Sequence, residues 1–375
     1  MPALLDIIYS SDASPAAPDF LGYAFQGSDL VISAEGYADF IAAGHDFLRD
    51  SDGCYLHVHP LASGERLFST DFHGYFPLFY YRHDTHWLVS PSFEVLARAA
   101  HQRGLPLTLR DHQLQAWSSP APLTQMPVSA CTPFNEIDML SYDQEIITGP
   151  SGLRLRQRRR NVSADSYADA LAGLIATWGG RILTILDGGM AIRADLSGGV
   201  DSRTVLAVIY WTLQSAGRLD LLSSDSIFVN SHPGMIGDYE VASSISQKLG
   251  FPLNNPQRRP YVMASDDEAF ATWKQYNLAR YSPHILPLTT LDSAIVTFNG
   301  VGGEEHRPFY ERFGRGSLGQ YIAAYRATFP DMLAFGRWMG DLHEDIDLPV
   351  PPYDHRMPAA IRHYRRHRSR HHTAK

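Results

Sequence analysis

The fold of this chain is decided by the stretch Arg193-Ala194-Asp195-Leu196-Ser197-Gly198-Gly199-Val200-Asp201-Ser202-Arg203-Thr204. A short apolar run, Ala191–Leu196, predicts a strand before the turn, and the helical spacing of Asp201–Gln214 predicts a helix after it. Two adjacent glycines at the join let the backbone approach an anion without a Cβ in the way. A glycine-rich turn that opens a helix favours anion binding, because the helix N-terminus carries partial positive charge.

The side chains of this loop indicate which kind of anion it takes. We expect the amides of Gly199, Val200 and Asp201 to point into the turn, and the hydroxyls of Ser197 and Ser202 to donate to the ligand. A bare phosphate repels the Asp201 carboxylate, so an acid here implies a bridging Mg²⁺. The spacing fits neither a Walker loop nor a Rossmann fingerprint, and the Walker lysine is absent.

Strand and helix patterns alternate on both sides of the loop. Helical spacing covers 164–183 and 238–249, where Gly250 predicts the helix end, and apolar strands are predicted at 226–230 and 294–299. This alternation predicts a parallel sheet with helices on both faces.

Residues 1–150 have a different pattern, which predicts a mostly β unit. Short apolar runs separated by turn residues predict strands, and a short helix follows them; the strands are at 53–59, 65–69, 78–82 and 86–90, and the helix is at 91–100. The arginine-rich stretch 151–161 looks like a linker and is interpreted as a solvated charged strand or loop, with a phosphate-facing patch as the alternative.

The string Ser197-Gly198-Gly199-Val200-Asp201-Ser202 resembles the pyrophosphatase loop of asparagine synthetases, GMP synthetases, NAD synthetases and tRNA-thiolation enzymes. A second stretch, Phe298-Asn299-Gly300-Val301-Gly302-Gly303-Glu304-Glu305, resembles the second signature loop of asparagine synthetases and β-lactam synthetases. The resemblance implies a site for ATP and Mg²⁺. It assigns Asp201 and Glu304 to the metal, and Ser197–Ser202 and Gly302 to the nucleotide.

Three stretches of the N-terminal half resemble the glutaminase half of asparagine synthetase: Gly53–Val58, Arg66–Tyr81 and Trp87–Ser90. The resemblance implies an α/β protein with two domains. The first, residues 1–155, is a degenerate, mostly-β, Ntn-hydrolase-like sandwich. The second, residues 162–375, is an adenine-nucleotide α-hydrolase-like domain with a parallel sheet.

The cysteines depart from the glutaminase pattern. Glutaminases of this type use an N-terminal cysteine whose free amine assists the thiol, whereas position 2 is Pro2, and Cys54 and Cys131 are internal. We therefore expect no glutamine hydrolysis, as in β-lactam synthetases and lasso-peptide cyclases, which join an amine already carried by the substrate. The lack of a CxxC pair also argues against a structural zinc site and predicts reduced thiols in a cytosolic protein.

The second loop departs from the family at Val301, where a glutamate or tyrosine usually handles the attacking amine. Three readings remain open: another residue takes that role, the amine is already neutral, or the reaction stops at adenylation. The candidate replacements are Tyr276, Tyr281, Tyr310 and His306.

The family's charge-stabilising lysine also has no counterpart, since only Lys375 follows Lys274. The resemblance leaves Arg307, together with Arg312 and Arg315, to supply that charge as a catalytic group, although arginine cannot act as an acid near neutral pH.

Two further positions follow from the same resemblance. The strand edge at Phe228-Val229 corresponds to the family's adenine contact, and Leu196 lines that pocket, with ordinary sheet core as the alternative for both. Asp238 and Glu240 resemble acids that open the family's next helix, and helix capping alone also explains them.

Histidine and arginine dominate Ala360–Lys375, which predicts a solvated tail, with contact to an anionic substrate or RNA as the alternative. His363, His367 and His371 recur every fourth residue, but arginines surround them and no carboxylate is close in sequence, which favours a tail over a metal site. His57 and His59 alternate on one strand, and a surface position is expected for both.

Composition limits the class of protein. With 44% hydrophobic and 19% charged residues, the chain is expected to be globular rather than disordered, and a net charge of −8 gives no global attraction to nucleic acid. The N-terminus lacks the pattern of a signal peptide, and no uninterrupted apolar run approaches the length of a membrane span, so a cytoplasmic location is expected.

We predict an ATP-dependent, AMP-forming carbon–nitrogen ligase. It adenylates a substrate carboxylate, releases pyrophosphate and forms an amide without glutamine hydrolysis, in natural-product (antibiotic) biosynthesis. Its partner is a small molecule or peptide with a carboxylate and an amine, and a homodimer or pathway partner protein is left open. The alternatives are a catalytically degenerate nucleotide-binding partner protein and a tRNA-modifying adenylating enzyme, for which the Arg/His tail is the only support.

Overall fold

The described part of the protein is a mixed α/β structure that contains two antiparallel sheets and one parallel sheet of three strands. A computed structural model describes residues 7–11, 19–119, 124–158, 166–255, 264–276, 278, 294–300, 326, 329, 331–346 and 359–370.

The N-terminal half forms the two antiparallel sheets. Their strands are β1 (Tyr9–Ser10), β2 (Phe20–Gln26), β3 (Asp29–Ile32), β4 (Gly53–Pro60), β5 (Arg66–Thr70), β6 (Phe79–His83), β7 (His86–Ser90), β8 (Ile137–Met139), β9 (Gln144–Gly149) and β10 (Gly152–Gln157). One sheet has the order β1-β7-β6-β8 and the other β10-β9-β5-β4-β2-β3. The helices of this half are α1 (Ser33–Ala42), α2 (Phe93–Gln102) and α3 (Asp111–Ser118).

A single apolar core joins the two antiparallel sheets. Tyr80 and Val89 from the four-stranded sheet pack in the same cluster as Leu56 and Phe68 from the six-stranded sheet. Alternate residues of each strand therefore face a shared interior, as in a sheet-on-sheet sandwich. The expected mostly β character of this half is confirmed.

The middle of the chain alternates strands and helices as predicted. Its elements are α4 (Tyr167–Asp187), β11 (Ala191–Asp195), α5 (Val200–Ser215), a 3-10 helix (Leu219–Ser223), β12 (Ile227–Asn230), α6 (Ile236–Leu249), α7 (Asp266–Tyr276) and β13 (Ile295–Phe298). The three strands are parallel in the order β12-β11-β13. Gly250 ends α6 in the left-handed conformation, with φ 75°, which confirms the predicted helix end.

The parallel sheet packs against the antiparallel half through α4. Arg181 of α4 pairs with Asp52 at 2.8 Å, and its guanidinium lies 4.7 Å from the ring centre of Phe25 in β2. Phe25 also belongs to the apolar core of the parallel-sheet unit. The core of the parallel-sheet unit therefore includes a side chain of the antiparallel half.

The expected charged strand is present within 151–161 and Arg154 on it is exposed, but the expected linker and a solvated Arg158 are wrong for the described residues. Residues 152–157 form β10, which pairs antiparallel with β9 along its whole length. Arg156 binds Glu145 at 2.7 Å, and the buried Arg158 pairs with Asp50 at 2.8 Å. The run of arginines has the composition of a linker, but the acidic partners that hold these arginines in the fold are distant in the sequence. Arg159 and Arg160 lie outside the described part of the chain.

The solvated tail expected at 360–375 is wrong for the described residues 361–370. Helix α8 (Met332–Ile346) precedes α9 (Ala359–His363), which continues as a π-helical turn (Tyr364–Ser369). His363, Arg366, His367 and Arg370 are all at least 95% buried. This segment packs on the antiparallel half: Arg370 donates to the carbonyl of Leu140 at 2.7 Å. The prediction of two domains, 1–155 and 162–375, assigns this segment to the second domain, whereas the segment packs on the antiparallel half.

The expected surface position is also wrong for His57, which is 3% exposed, whereas His59 is exposed as predicted. The hydroxyl of Tyr37 lies 3.0 Å from Nε2 of His57, and Phe47 packs against the same ring. Helix α1 and the segment after it cover this face of the sheet, which a strand pattern alone does not show.

One described helix, α4, is long and apolar enough to cross a membrane by length and composition. Only 28% of its most apolar window is buried in the protein. A single helix of this kind is weak evidence for a membrane span, because helices that pack on a globular core pass the same test.

Candidate functional site

The carboxyl ends of the parallel strands form the crevice where the predicted loop lies. Strand β11 is central, and the chain passes from β11 to β12 on one side and later to β13 on the other. The connection therefore reverses direction beside β11. In parallel α/β sheets, ligands bind at such a switch point, outside the carboxyl ends of the strands.

The serines of the loop bind each other. The Ser197 amide donates to Oγ of Ser202 at 3.0 Å, and the two hydroxyl oxygens are 2.9 Å apart. The Gly199 amide donates to Oγ of Ser197 at 3.1 Å. Both hydroxyls and the Gly199 amide, which are expected to contact a ligand, take part in hydrogen bonds that hold the shape of the loop.

Asp238 connects the loop to the next helix. Its Oδ1 accepts a hydrogen bond from the Gly198 amide at 2.9 Å, and Asp238 belongs to the first turn of α6. A Cβ on Gly198 would lie 2.7 Å from that same oxygen, so a larger residue would displace the carboxylate from this position. The Asp238 side chain therefore binds the loop, whereas the N-cap of α6 makes no side-chain hydrogen bond and Glu240 is exposed.

The N-terminus of α5 faces this crevice without a side-chain cap. Gly199 is the N-cap residue and offers no side-chain hydrogen bond, and Val200 is 55% exposed. The first amides of a helix have no partner within the helix, so the end of α5 keeps its partial positive charge. Asp201 lies in this first turn.

The second predicted loop starts against the first. Gly300 follows β13, and a Cβ there would lie 2.7 Å from the amide nitrogen of Ser202 and 3.1 Å from its Cα. The structure thus brings the beginning of the second loop onto the first turn of α5. Asp201, next to Ser202, therefore lies close to where the second loop starts.

Several predicted site residues lie outside the described part of the chain. They include the metal candidate Glu304, the nucleotide candidate Gly302 and the catalytic candidate Arg307. Outside it as well are Val301, Tyr281, His306, Tyr310, Arg312, Arg315, His371 and the side chain of Tyr276.

The predicted adenine contacts are part of the sheet core. Leu196 is 3% exposed and Val229 1% exposed, and both belong to the core of the parallel-sheet unit. The Leu196 amide donates to the carbonyl of Asn230 at 2.7 Å, and the Val229 carbonyl accepts from Asn254 at 3.0 Å. Their backbones are thus used within the protein, which fits the alternative reading of these positions as ordinary sheet core.

Sequence reasoning missed three polar residues at the strand ends. Asp195 ends β11 and accepts from Asn230 Nδ2 at 3.1 Å at the end of β12. Ser231 follows and is 3% exposed, and its Oγ has no hydrogen-bond partner among the described residues. The signal available in the sequence was position alone, since the last residues of parallel strands lie at the same edge of the sheet.

Neither cysteine has the environment of a nucleophile. Burial raises the pKa of the Cys54 thiol well above its usual value, and burial likewise raises the pKa of Cys131 to about 12. Both are free thiols. Since the thiolate is the reactive form, cysteine-based catalysis at these two positions is disfavoured.

No protein-family model matches the chain, and comparison with curated proteins finds no match.

Proposed function

We propose that this protein is an ATP-dependent, AMP-forming ligase that adenylates a substrate carboxylate and joins it to an amine. The proposal includes the finer fold, an Ntn-hydrolase-like sandwich followed by an adenine-nucleotide α-hydrolase-like unit, and a cytoplasmic location. The observation that carries it is the contact of Gly300 with Ser202, because two loops with the family's sequence signatures meet at the switch point of a parallel sheet.

The described residues supply two parts of a pyrophosphate site. The uncapped N-terminus of α5 offers positive charge, and the hydrogen-bonded serines fix the loop in front of it. Asp201 and Asp238 place two carboxylates in the first turns of neighbouring helices. Two acids beside an anion site favour a cation between acid and phosphate.

Mg²⁺, when bound, neutralises charge that develops on the phosphates. Asp201 is the described residue assigned to hold it, with Glu304 assigned by resemblance. The chain's own contribution is to position the reacting groups and to stabilise charge. The raised pKa values of Cys54 and Cys131 support amide formation without glutamine hydrolysis by either thiol.

A nucleotide-binding partner protein without turnover remains the second candidate. The Asp238 carboxylate occupies the Gly198 amide, and the loop hydroxyls bind each other, so fewer donors are left for a phosphate. The tRNA-modifying alternative loses its support, because the described part of the Arg/His segment is buried against the antiparallel half.

The test is pyrophosphate release by the full chain with ATP and Mg²⁺, across a panel of amino acids, dipeptides and amino-carboxylic acids. We expect release with at least one carboxylate, and a loss of at least about 100-fold in the variant Asp201→Asn, which keeps the size of the side chain and removes its charge.

The matched control is Asp220→Asn, an exposed acid on the 3-10 helix after α5, which should leave turnover unchanged. ATP binding without pyrophosphate release would favour the partner protein. Neither binding nor release, or full turnover in Asp201→Asn, would show that the assignment is wrong.

A further inference from the structure

A buried group of one carboxylate and two imidazoles lies far along the chain from the loops described above. Asp345 is in the last turn of α8, His363 ends α9 and His367 is in the π-helical turn that follows. They are 5%, 1% and 1% exposed. One nitrogen or oxygen atom from each residue lies within 4.8 Å of those of the other two.

The polar atoms of this group lack ordinary hydrogen bonds. Oδ2 of Asp345 and both ring nitrogens of His367 are buried with no hydrogen-bond partner among the described residues. Nε2 of His367 is only 3.0 Å from Asp345 Oδ2, yet the two atoms do not have hydrogen-bond geometry. Buried polar atoms without hydrogen bonds are costly and call for an explanation, and a bound ion is one of the ordinary explanations.

The spacing suits a metal ion. Two ligands held roughly 2.0 Å from one tetrahedral zinc ion lie about 3.3 Å apart. The 3.0 Å between Asp345 and His367 is close to that value, and the rings of His363 and His367 have centroids 5.0 Å apart on successive turns. The three ligand atoms lie within 4.8 Å of one another, so side-chain rotation that shortens the longest separation by up to about 1.5 Å would bring all three around one centre.

His363 has the outer hydrogen bond typical of metal-bound histidines. Its Nε2 lies 2.8 Å from the carbonyl oxygen of Val128, to which it donates. This bond selects the neutral tautomer in which Nδ1 carries the lone pair. Metal-ligating histidines usually donate their other ring N–H to a backbone carbonyl or carboxylate in this way.

The charged groups around Asp345 favour a bound cation. Arg366 Nη1 is 3.7 Å from Asp345 Oδ2, and its Nη2 binds the buried Asp143 at 3.1 Å. Arg366 is thus shared between two buried carboxylates, and its approach to Asp345 is the longer of the two. A buried negative charge that is only partly compensated is unfavourable, so a cation at this place stabilises the fold.

We propose that Asp345, His363 and His367 bind a Zn²⁺ ion that fastens the C-terminal segment to α8. All three ligands are buried, so the ion has a structural role rather than contact with a substrate. The site does not depend on ATP binding.

The test uses the purified, tag-free full chain. We expect about one zinc ion per chain by elemental analysis. After exchange, Co²⁺ bound by these three ligands should show visible d–d absorption. Zn²⁺ returned to chelator-treated protein should raise the melting temperature by about 2 °C or more, whereas Mg²⁺ and Ca²⁺ should not.

The variants His367→Gln and Asp345→Asn should lose the ion and the Co²⁺ band. Two controls should keep them: His59→Gln, an exposed histidine elsewhere, and the double variant H371Q/H372Q in the adjoining sequence. Loss of binding only in H371Q/H372Q would place the ion outside this group and overturn the proposal. If the site variants do not fold, wild-type protein without bound zinc, a Co²⁺ band or a zinc-dependent melting shift overturns it.

Discussion

The Asp238 carboxylate accepts a hydrogen bond from the amide of Gly198 at 2.9 Å, which fastens the first turn of α6 to the loop before α5. The two residues come from successive strand–helix connections on β11 and β12. The bond therefore holds together both connections that line the carboxyl edge of the sheet. It also places a negative charge beside an anion-binding helix end.

Two substitutions at Asp238 distinguish the contribution of its hydrogen bond to stability from that of its negative charge. Asp238→Ala leaves the Gly198 amide without its acceptor, and we expect the free energy of unfolding to fall by about 1–2 kcal/mol. Asp238→Asn keeps an oxygen acceptor and should recover most of that loss. Urea denaturation measures both, with Glu240→Ala on the exposed side of α6 as the control. Equal losses in the alanine and asparagine variants would mean that the charge, not the hydrogen bond, stabilises the loop.

Gly300→Ala tests the convergence of the two loops. The added Cβ would meet the Ser202 amide nitrogen at 2.7 Å, and backbone cannot rotate away as a side chain can. We expect a loss of about 1–3 kcal/mol in stability and a drop of at least about 10-fold in any ATP-dependent pyrophosphate release.

The control for Gly300→Ala is Gly237→Ala in the first turn of α6, where an added Cβ has nothing within 4 Å. Gly237→Ala should leave the free energy of unfolding unchanged or raise it slightly, since alanine is a better helix former than glycine. If Gly300→Ala behaved like Gly237→Ala in both measurements, the close contact with Ser202 would not exist in solution.

The sequence was sufficient to predict the parallel unit, because local signals agree there. The apolar strand before Ser197, the adjacent glycines and the helix stop at Gly250 all indicate the same strand–loop–helix order. Gly300 could be placed at the end of a strand from the sequence, but its contact with Ser202 depends on the sheet order β12-β11-β13. Strand order is set by packing across the whole unit, which no local pattern records.

The buried charged residues could not be predicted for the same reason. Arg158 pairs with Asp50, and His367 lies beside Asp345, so each partner is distant in the sequence. An arginine or histidine run has the composition of a solvated segment until such partners are known. The absence of a CxxC pair likewise argued against structural zinc, although the proposed zinc site uses histidine and aspartate.

Arg158→Met should be among the most destabilising substitutions in the antiparallel half. The guanidinium donates to the buried carbonyls of Asp71 and Tyr142 at 3.0 and 3.3 Å, and also to Thr70. Its removal breaks these hydrogen bonds and the ion pair with Asp50, which we expect to cost about 3 kcal/mol. Arg154→Met is the matched control, because Arg154 forms an exposed pair with Glu65 and should cost less than about 1 kcal/mol. Similar midpoints for the two variants in guanidinium chloride would contradict the role given to Arg158.

His57 should make the stability of the antiparallel half depend on pH. Burial, assisted by His59 and Arg49, lowers the pKa of His57 to about 4 from an ordinary 6.5. Below pH 6.5 this histidine is protonated in the unfolded chain but still neutral in the folded protein. The contribution of His57 to the free energy of unfolding is therefore fully present above pH 6.5 and is lost as the pH falls towards 4. The loss attributable to this one group reaches about 2.5 kcal/mol at pH 4.5. We therefore expect the unfolding free energy of His57→Gln, measured by urea denaturation, to fall less than that of wild type between pH 7 and 4.5, by roughly this amount.

His59→Gln, on the exposed part of the same strand, is the control and should keep most of the wild-type dependence on pH. Parallel pH profiles for wild type and His57→Gln would show that His57 is not held neutral in the fold.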